Sequence, residues 1–133
     1  MARAATGRPT DLELEILKVL WDRGPSTVRG VREALSRRRR VGYTTVLKML
    51  QIMAEKRLVV RDKSQRAHVY GPRESRTSVV RKLAGDLLDR VFDGSTSQLV
   101  LHALEHKNAK PEELAEIRRL LDEIERRRRW ARR

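Results

Sequence analysis

The chain has 133 residues, of which 39% are hydrophobic, 37% are charged and only five are aromatic, so it can form one domain or two small ones with aliphatic cores. It has no cysteine, which excludes disulfides, thiolate metal sites and cysteine nucleophiles. Because no apolar run is longer than three residues, we expect neither a signal peptide nor membrane insertion, and therefore a cytoplasmic protein.

The formal net charge of +13 is unevenly distributed along the chain. Residues 1–73 hold 17 Lys and Arg against 7 Asp and Glu, residues 74–125 hold 8 against 11, and the last eight residues hold six Arg and no acid. Clustered positive charge attracts phosphate backbones, so we expect the first segment to contact nucleic acid. The alternative is that the charge only keeps a basic protein soluble.

The first predicted helix follows a polar segment, residues 1–9, which we expect to be a flexible N-terminal arm. Thr10 and Glu13 have the spacing of a capping box, and Gly24-Pro25 is expected to end the helix. Its apolar face recurs every four residues. The residues of this face are Leu12, Ile16 and Leu20.

Two further helices and a hairpin follow. Ser26 is a good N-cap for the second helix, and the third is expected to begin near Tyr43. Their apolar faces are Val28, Val31 and Leu35 in the second helix and Val46, Leu50 and Met53 in the third. Residues 58–60 and 67–71 predict two short strands joined by a polar turn. Three helices and a hairpin in this order are typical of a winged helix-turn-helix, which we assign to residues 10–73 as a DNA-binding domain.

From residue 74 the pattern predicts helices only, with a helical dimerisation module over 74–129 and a basic tail at 130–133. Three short helices bury little apolar surface when isolated, so a second copy is expected to cover their apolar stripes. The alternative is a monomeric helical cap folded on the first domain. The helix boundaries are marked by Asp93-Gly94, by Ser95 with Gln98, and by Pro111. The residues expected at the dimer contact are Val80, Leu83, Leu87, Val91, Leu101, Leu104, Leu114, Ile117, Leu121 and Ile124. The predicted fold class is therefore mainly α with a small β-hairpin wing.

The third helix is expected to enter the major groove of DNA, since its first residues face bases and phosphates in this fold. Threonine hydroxyls can bond phosphates or base edges, and glutamine can recognise adenine. The alternative for the two threonines is plain helix capping. The side chains expected to bind DNA from this helix are Tyr43, Thr44, Thr45, Lys48 and Gln51.

Two basic clusters flank the predicted recognition helix. Arg38, Arg39 and Arg40, in a run that begins at Arg37, are expected to clamp the DNA backbone, since each neutralised phosphate releases counterions. Lys63 and Arg66 lie at the expected tip of the wing, where they suit phosphate or minor-groove contacts.

One string of residues indicates a different chemistry. Residues 102–106, His-Ala-Leu-Glu-His, match the H-x-x-E-H pattern of some zinc peptidases. A catalytic zinc site needs a third protein ligand, and the other histidine, His68, belongs to the predicted wing. We therefore expect no metal site, no cofactor and no enzymatic activity.

The Arg-rich end after residue 125 is either a second nucleic-acid contact or a set of cations that offsets a helix dipole.

Several stretches are similar to those of a known family. They are Thr10 to Trp21, Thr27-Val28-Arg29, Tyr43 to Val46, Arg66 to Tyr70, Phe92 to Leu101 and Glu112 to Leu114. Their order and spacing over residues 10–125 resemble the penicillinase-repressor (BlaI/MecI/CopY) family. The resemblance implies a homodimeric repressor that binds inverted-repeat operators of β-lactam-resistance or cell-wall genes.

The resemblance also implies partners and departures. Its implied partners are double-stranded operator DNA, a second copy of the chain and a membrane sensor-protease that switches the repressor by cleavage, with the matching bond at His102-Ala103. The copper-sensing branch of the family carries a C-terminal cysteine cluster, which this chain lacks. Ile52 stands where the family often has Arg, and Lys110 stands where a Ser often caps the last helix.

The sequence thus favours a sequence-specific transcriptional repressor. Two alternatives stay open. A non-specific architectural DNA-binding protein is argued from the Arg runs alone, and a protein-interaction module would have a winged helix that does not bind DNA.

Overall fold

Nine elements make up the computed structural model, which describes residues 8–132. They are α1 (Asp11–Arg23), β1 (Ser26–Thr27), α2 (Val28–Leu35), α3 (Tyr43–Glu55), β2 (Val59–Asp62), β3 (Val69–Pro72), α4 (Arg76–Phe92), α5 (Thr96–Lys107) and α6 (Pro111–Ala131). The chain divides into two compact units, one up to Gly85 and one from Asp86. The predicted fold class is confirmed. Most of the predicted N-terminal arm, residues 1–7, lies outside the described residues, and the predicted domain limits stay a prediction.

The predicted capping box opens α1. The Thr10 hydroxyl accepts a hydrogen bond from the Glu13 N–H at 3.3 Å, and the Glu13 carboxylate accepts one from the Thr10 N–H at 2.9 Å, so two donors at the helix start are satisfied. The helix ends at Gly24, whose φ of 83° lies in the left-handed region that glycine adopts without steric cost. The Gly24 N–H donates to the Leu20 carbonyl.

The wing belongs to a three-stranded antiparallel sheet with the order β1-β3-β2, so the prediction of a hairpin alone is incomplete. Ser26 pairs with Tyr70 of β3. The prediction that Ser26 caps the second helix is wrong, because Thr27 is the N-cap and its hydroxyl accepts from the Gly30 N–H at 3.1 Å. A two-residue strand has no periodicity in the sequence, so only its pairing with β3 reveals it.

The core of the first unit is aliphatic and lies between the first three helices and the sheet. Its members are Ile16, Leu17, Leu20, Val28, Val31, Leu35, Val46, Leu50, Met53, Leu58, Val59 and Tyr70. Leu12, predicted with this set, is only partly buried at the edge of the core. Tyr70 is fully buried, and its hydroxyl has no hydrogen-bond partner within residues 8–132.

A buried ion pair joins the start of α1 to the end of α3. Lys56 follows the last residue of α3. Its ammonium group lies 3.0 Å from each carboxylate oxygen of Glu13. Only 2% of the Glu13 side chain and 9% of the Lys56 side chain are exposed. Charges at such depth are tolerated only when they are paired and hydrogen-bonded, and Glu13 meets this condition through Lys56 and the Thr10 N–H.

In the second unit, the end of α4 and the start of α5 lie where the sequence predicts them. Asp93 and Gly94 follow α4 with φ values of 50° and 82°, a left-handed geometry that ends a helix. The Ser95 hydroxyl accepts from the Gln98 N–H at 3.3 Å and caps α5.

The last helix begins at Pro111, as predicted, and Lys110 before it provides no side-chain cap. The helix continues to Ala131, so it includes the first two residues of the predicted basic tail. Within residues 8–132, no helix is long and apolar enough to cross a membrane.

We expect Lys56→Met to destabilise the protein by about 3–5 kcal/mol, because it leaves the Glu13 carboxylate buried without its cation. Urea unfolding followed by circular dichroism measures the change. Lys63→Met, at an exposed position in the wing turn, serves as the control and should change stability by less than about 0.5 kcal/mol. Equal effects of the two substitutions would contradict a structural role for the pair.

Removal of the Tyr70 hydroxyl should not destabilise the fold. Burial of an unpaired hydroxyl costs about 1–3 kcal/mol, so Tyr70→Phe is expected to leave the free energy of unfolding unchanged or to raise it. The same urea titration tests this, and a loss above about 1 kcal/mol would show that the hydroxyl has a partner.

Candidate nucleic-acid interface

The helix α3 has one buried face and one face open to solvent. Val46, Leu50 and Met53 are fully buried, and their spacing of four and three residues turns the intervening side chains outward. The five side chains of α3 predicted to bind DNA are all exposed, namely Tyr43, Thr44, Thr45, Lys48 and Gln51. The exposed fraction of Tyr43 is 49%. The structure therefore places the predicted contact residues together on one helix, with the core behind it.

The first turn of α3 has no side-chain cap. Gly42 is the N-cap, and it provides no side-chain hydrogen bond. Thr44 and Thr45 lie inside the helix rather than at the cap, so their hydroxyls are not needed to begin it. The N–H groups of an uncapped first turn, together with the helix dipole, favour a phosphate.

The arginine run before α3 is divided among different contacts. Arg39 forms an ion pair with Glu15 of α1 at 3.0 Å, and the backbone N–H groups of Arg38 and Arg39 both donate to the Leu35 carbonyl. Arg40 is exposed just before α3. The arginine run thus forms a hydrogen-bonded turn in which the individual side chains have different partners.

The wing presents Lys63 and Arg66 in the exposed turn between β2 and β3. The Asp62 carboxylate accepts a hydrogen bond from the Ser64 N–H at 2.9 Å. This bond lowers the pKa of Asp62 below its ordinary value, since it stabilises the charged form. A carboxylate that accepts a hydrogen bond from the backbone N–H two residues later in the chain stabilises the conformation of such a turn.

A second cluster, which the sequence analysis missed, anchors the segment before α4. The Trp21 indole donates to the Glu74 carbonyl at 3.0 Å, and the Arg76 guanidinium lies 5.5 Å from the centroid of the Trp21 ring and pairs with Asp22. We call Trp21, Asp22, Glu74 and Arg76 the anchor cluster. Trp21 and Glu74 are 53 residues apart in sequence, and Asp22 and Arg76 are 54 apart, so no local pattern could have indicated their contact.

The carboxylate of Glu74 is also engaged. It accepts hydrogen bonds from Lys82 at 2.7 Å and from Ser78 at 2.6 Å, and these bonds lower the pKa of Glu74. The side chains of Ser78 and Lys82 therefore link α4 to Glu74, in addition to the contacts of the anchor cluster.

Several of the side chains predicted to form the dimer contact are exposed in the single chain. These are Val80, Leu87, Val91, Leu101, Leu121 and Ile124, with exposed fractions of 39% to 61%. Leu83, Leu104, Leu114 and Ile117 are partly buried. The single chain thus leaves a large amount of aliphatic surface in water.

The residues around the predicted cleavage position lie within α5. His102 and Ala103 are exposed, and the ring of His102 packs against that of Phe92 with centroids 5.6 Å apart. Residues 8–132 contain no group of His, Asp and Glu side chains that could hold a metal ion.

Comparison with known proteins gives consistent matches. The family described as Penicillinase repressor matches residues 9–123. The Transcriptional regulator BlaI of Mycobacterium tuberculosis is 42% identical over 117 residues, which cover 86% of this chain and 83% of the relative. The Penicillinase repressor of Bacillus licheniformis is 27% identical over 114 residues, which cover 86% and 89%.

A solved structure also matches part of the chain. It is the solution structure of the monomeric form of Bacillus licheniformis BlaI in complex with the blaP half-operator, with 28% identity, a TM-score of 0.46 and coverage of 52% of this chain and 84% of that one. The family match and the mycobacterial relative identify the chain as a member of the penicillinase repressor family, which is a family of transcriptional regulators and not of enzymes.

Proposed function

We propose that this protein is a sequence-specific DNA-binding repressor that acts as a homodimer on an inverted-repeat operator. The observation that carries the proposal is the two-faced recognition helix. Its inward side chains are fully buried and hold it rigidly, while its outward side chains are polar and exposed. A helix of this kind fits the major groove of B-DNA.

Each exposed group on α3 has a role in this proposal. Thr44 and Thr45 contact base edges or phosphates at the start of the helix, and Lys48 and Gln51 reach bases one and two turns further along. The uncapped first turn accepts a backbone phosphate. Tyr43 packs beside that phosphate with its exposed ring.

The flanking cations supply affinity that does not depend on sequence. Lys63 and Arg66 contact the backbone or the minor groove from the wing. Arg38 and Arg40 neutralise phosphates next to the first turn of α3. Arg39 contributes less than its neighbours, because its guanidinium is already paired with Glu15.

The exposed aliphatic residues of α4, α5 and α6 support the proposed dimer. Burial of apolar surface gains about 25 cal/mol per Å², and a self-complementary contact around a two-fold axis covers the same residues in both copies. A symmetric dimer would place its two α3 helices in successive major grooves. An operator with inverted repeats matches this symmetry.

The regulated genes are proposed from the name of a relative. The relative from Bacillus licheniformis carries the name Penicillinase repressor, so we propose control of β-lactam-resistance or cell-wall genes. Cleavage at His102-Ala103 by a sensor protease would require local unfolding of α5, since that bond lies within the helix.

The main alternative, a non-specific architectural DNA-binding protein, is separated from the repressor by a competition experiment at about 150 mM salt, where non-specific contacts are weak. The upstream region of the protein's own gene competes against random duplex. A preference of about 10³-fold or more is expected for a specific regulator. Equal affinity for both duplexes would favour the architectural protein.

Lys48→Ala is expected to weaken operator binding by about tenfold or more and random-duplex binding by a few-fold only, because one base contact contributes about 1–3 kcal/mol of discrimination. The measurement is the same competition assay. The matched control is Lys107→Ala, which removes an equal charge at an exposed position of α5. If Lys48→Ala leaves operator affinity intact, the proposed recognition face is wrong.

Leu121→Lys is expected to convert the dimer to monomer, because it places a charge on a side chain that is 56% exposed in the single chain and would be buried between copies. Sedimentation velocity at micromolar concentration measures the mass. Ala115→Lys adds the same charge to an exposed position of the same helix and should leave the dimer intact. A dimer that persists in the Leu121 variant, or is lost equally in both, would contradict this contact.

A further inference from the structure

A groove in the first unit lies apart from the proposed recognition face. It encloses about 450 Å³ and is formed by α1, the end of α2, the turn before α3 and the side chain of Arg76. Among the described residues, its lining includes none from α3 and none from the wing turn. A volume of this size is sufficient for a small ligand.

The groove carries an excess of positive charge. Five cationic side chains line it, and only two acidic ones, Glu15 and Asp22, lie among them. Glu15 is paired with Arg39, which is outside the lining, and Asp22 is paired with Arg76. The four remaining cations form no ion pair with a carboxylate within residues 8–132. They are Lys18, Arg23, Arg37 and Arg38.

We propose that this groove binds a phosphate group. Four like charges around one concavity repel one another, and an anion between them removes that repulsion. Guanidinium groups pair with phosphate through two parallel hydrogen bonds, and three of the four cations are arginines. Phosphate suits the groove better than a monocarboxylate, because it carries up to two charges and offers acceptor oxygens in several directions.

Occupancy of the groove would act on the anchor cluster. Arg76 is the fifth cation of the lining, and a bound phosphate would compete with Asp22 for its guanidinium. Its guanidinium lies over the ring of Trp21, which in turn holds the Glu74 carbonyl. A bound phosphate would therefore change the environment of Trp21 and the hold on the segment before α4.

The phosphate group has two sources, a small phosphorylated compound or the backbone of bound DNA. The first makes the groove a site for an effector. The second makes Arg23, Lys18 and Arg37 additional backbone contacts beyond the predicted ones. Both sources present the same chemistry to the arginines, so the experiment has one arm for each.

The first arm is a fluorescence titration of the full chain with sodium pyrophosphate at constant ionic strength. A Trp130→Phe background leaves Trp21 as the single tryptophan. We expect a saturable change with one site per chain. Arg23→Gln with Arg37→Gln should weaken this binding at least tenfold, whereas Arg81→Gln with Arg118→Gln, an equal loss of charge at exposed positions outside the groove, should change it less than twofold.

The second arm measures the affinity of the same two double variants for random duplex at fixed salt. A larger loss in the groove variant than in its control assigns the phosphate to DNA, and equal losses together with saturable pyrophosphate binding assign it to a small compound. Two results together overturn the proposal. The first is that pyrophosphate binding does not saturate, or is equally strong in the groove variant and its control. The second is that these two variants also bind random duplex with equal affinity. The pyrophosphate arm needs no operator, so its failure is separate from a failure of the proposed repressor function.

Discussion

The buried carboxylate of Glu13 joins the start of α1 to the end of α3. It accepts the Thr10 N–H at the start of α1 and the Lys56 ammonium at the end of α3. The close-packed aliphatic core already holds α3 against α1 and α2, and the ion pair adds a directional contact at the end of the helix. A buried ion pair has a defined geometry, because both charges lose their water and each depends on the other. The helix that carries the candidate DNA contacts is thus tied to α1 by two residues outside the predicted contact set.

The apolar side chains of the two units differ in how deeply they are buried. In the first unit the aliphatic side chains of α1, α2 and α3 enclose one another almost completely. In α5 and α6 not one described side chain is buried, although leucine, isoleucine and valine recur there at helical spacing. A single copy of such helices gains little from burial, which is why we propose a self-complementary contact for this segment.

The basic residues are also arranged for distinct purposes. Arg39 stabilises the turn before α3 through Glu15, Arg76 stabilises the segment before α4 through Asp22, and Arg37 and Arg38 line the groove. Only part of the large positive charge is therefore available to the proposed recognition face. The paired arginines join neighbouring elements, and we propose that the unpaired ones attract phosphate.

The sequence by itself determined the order of the helices, the capping box of α1 and the buried faces of α2 and α3. It also determined the exposed side chains of α3, which are Tyr43, Thr44, Thr45, Lys48 and Gln51. These features depend on spacings of three and four residues or on caps within one turn, and such signals are local. Only the tertiary structure decided the strand β1, the depth of Glu13 and Lys56, the anchor cluster and the groove. Each of these joins residues far apart in the chain. Glu13 shows the difference well, because the sequence identifies it as a helix cap, while its pairing with Lys56, 43 residues away, exists only once the core has brought α1 and α3 together.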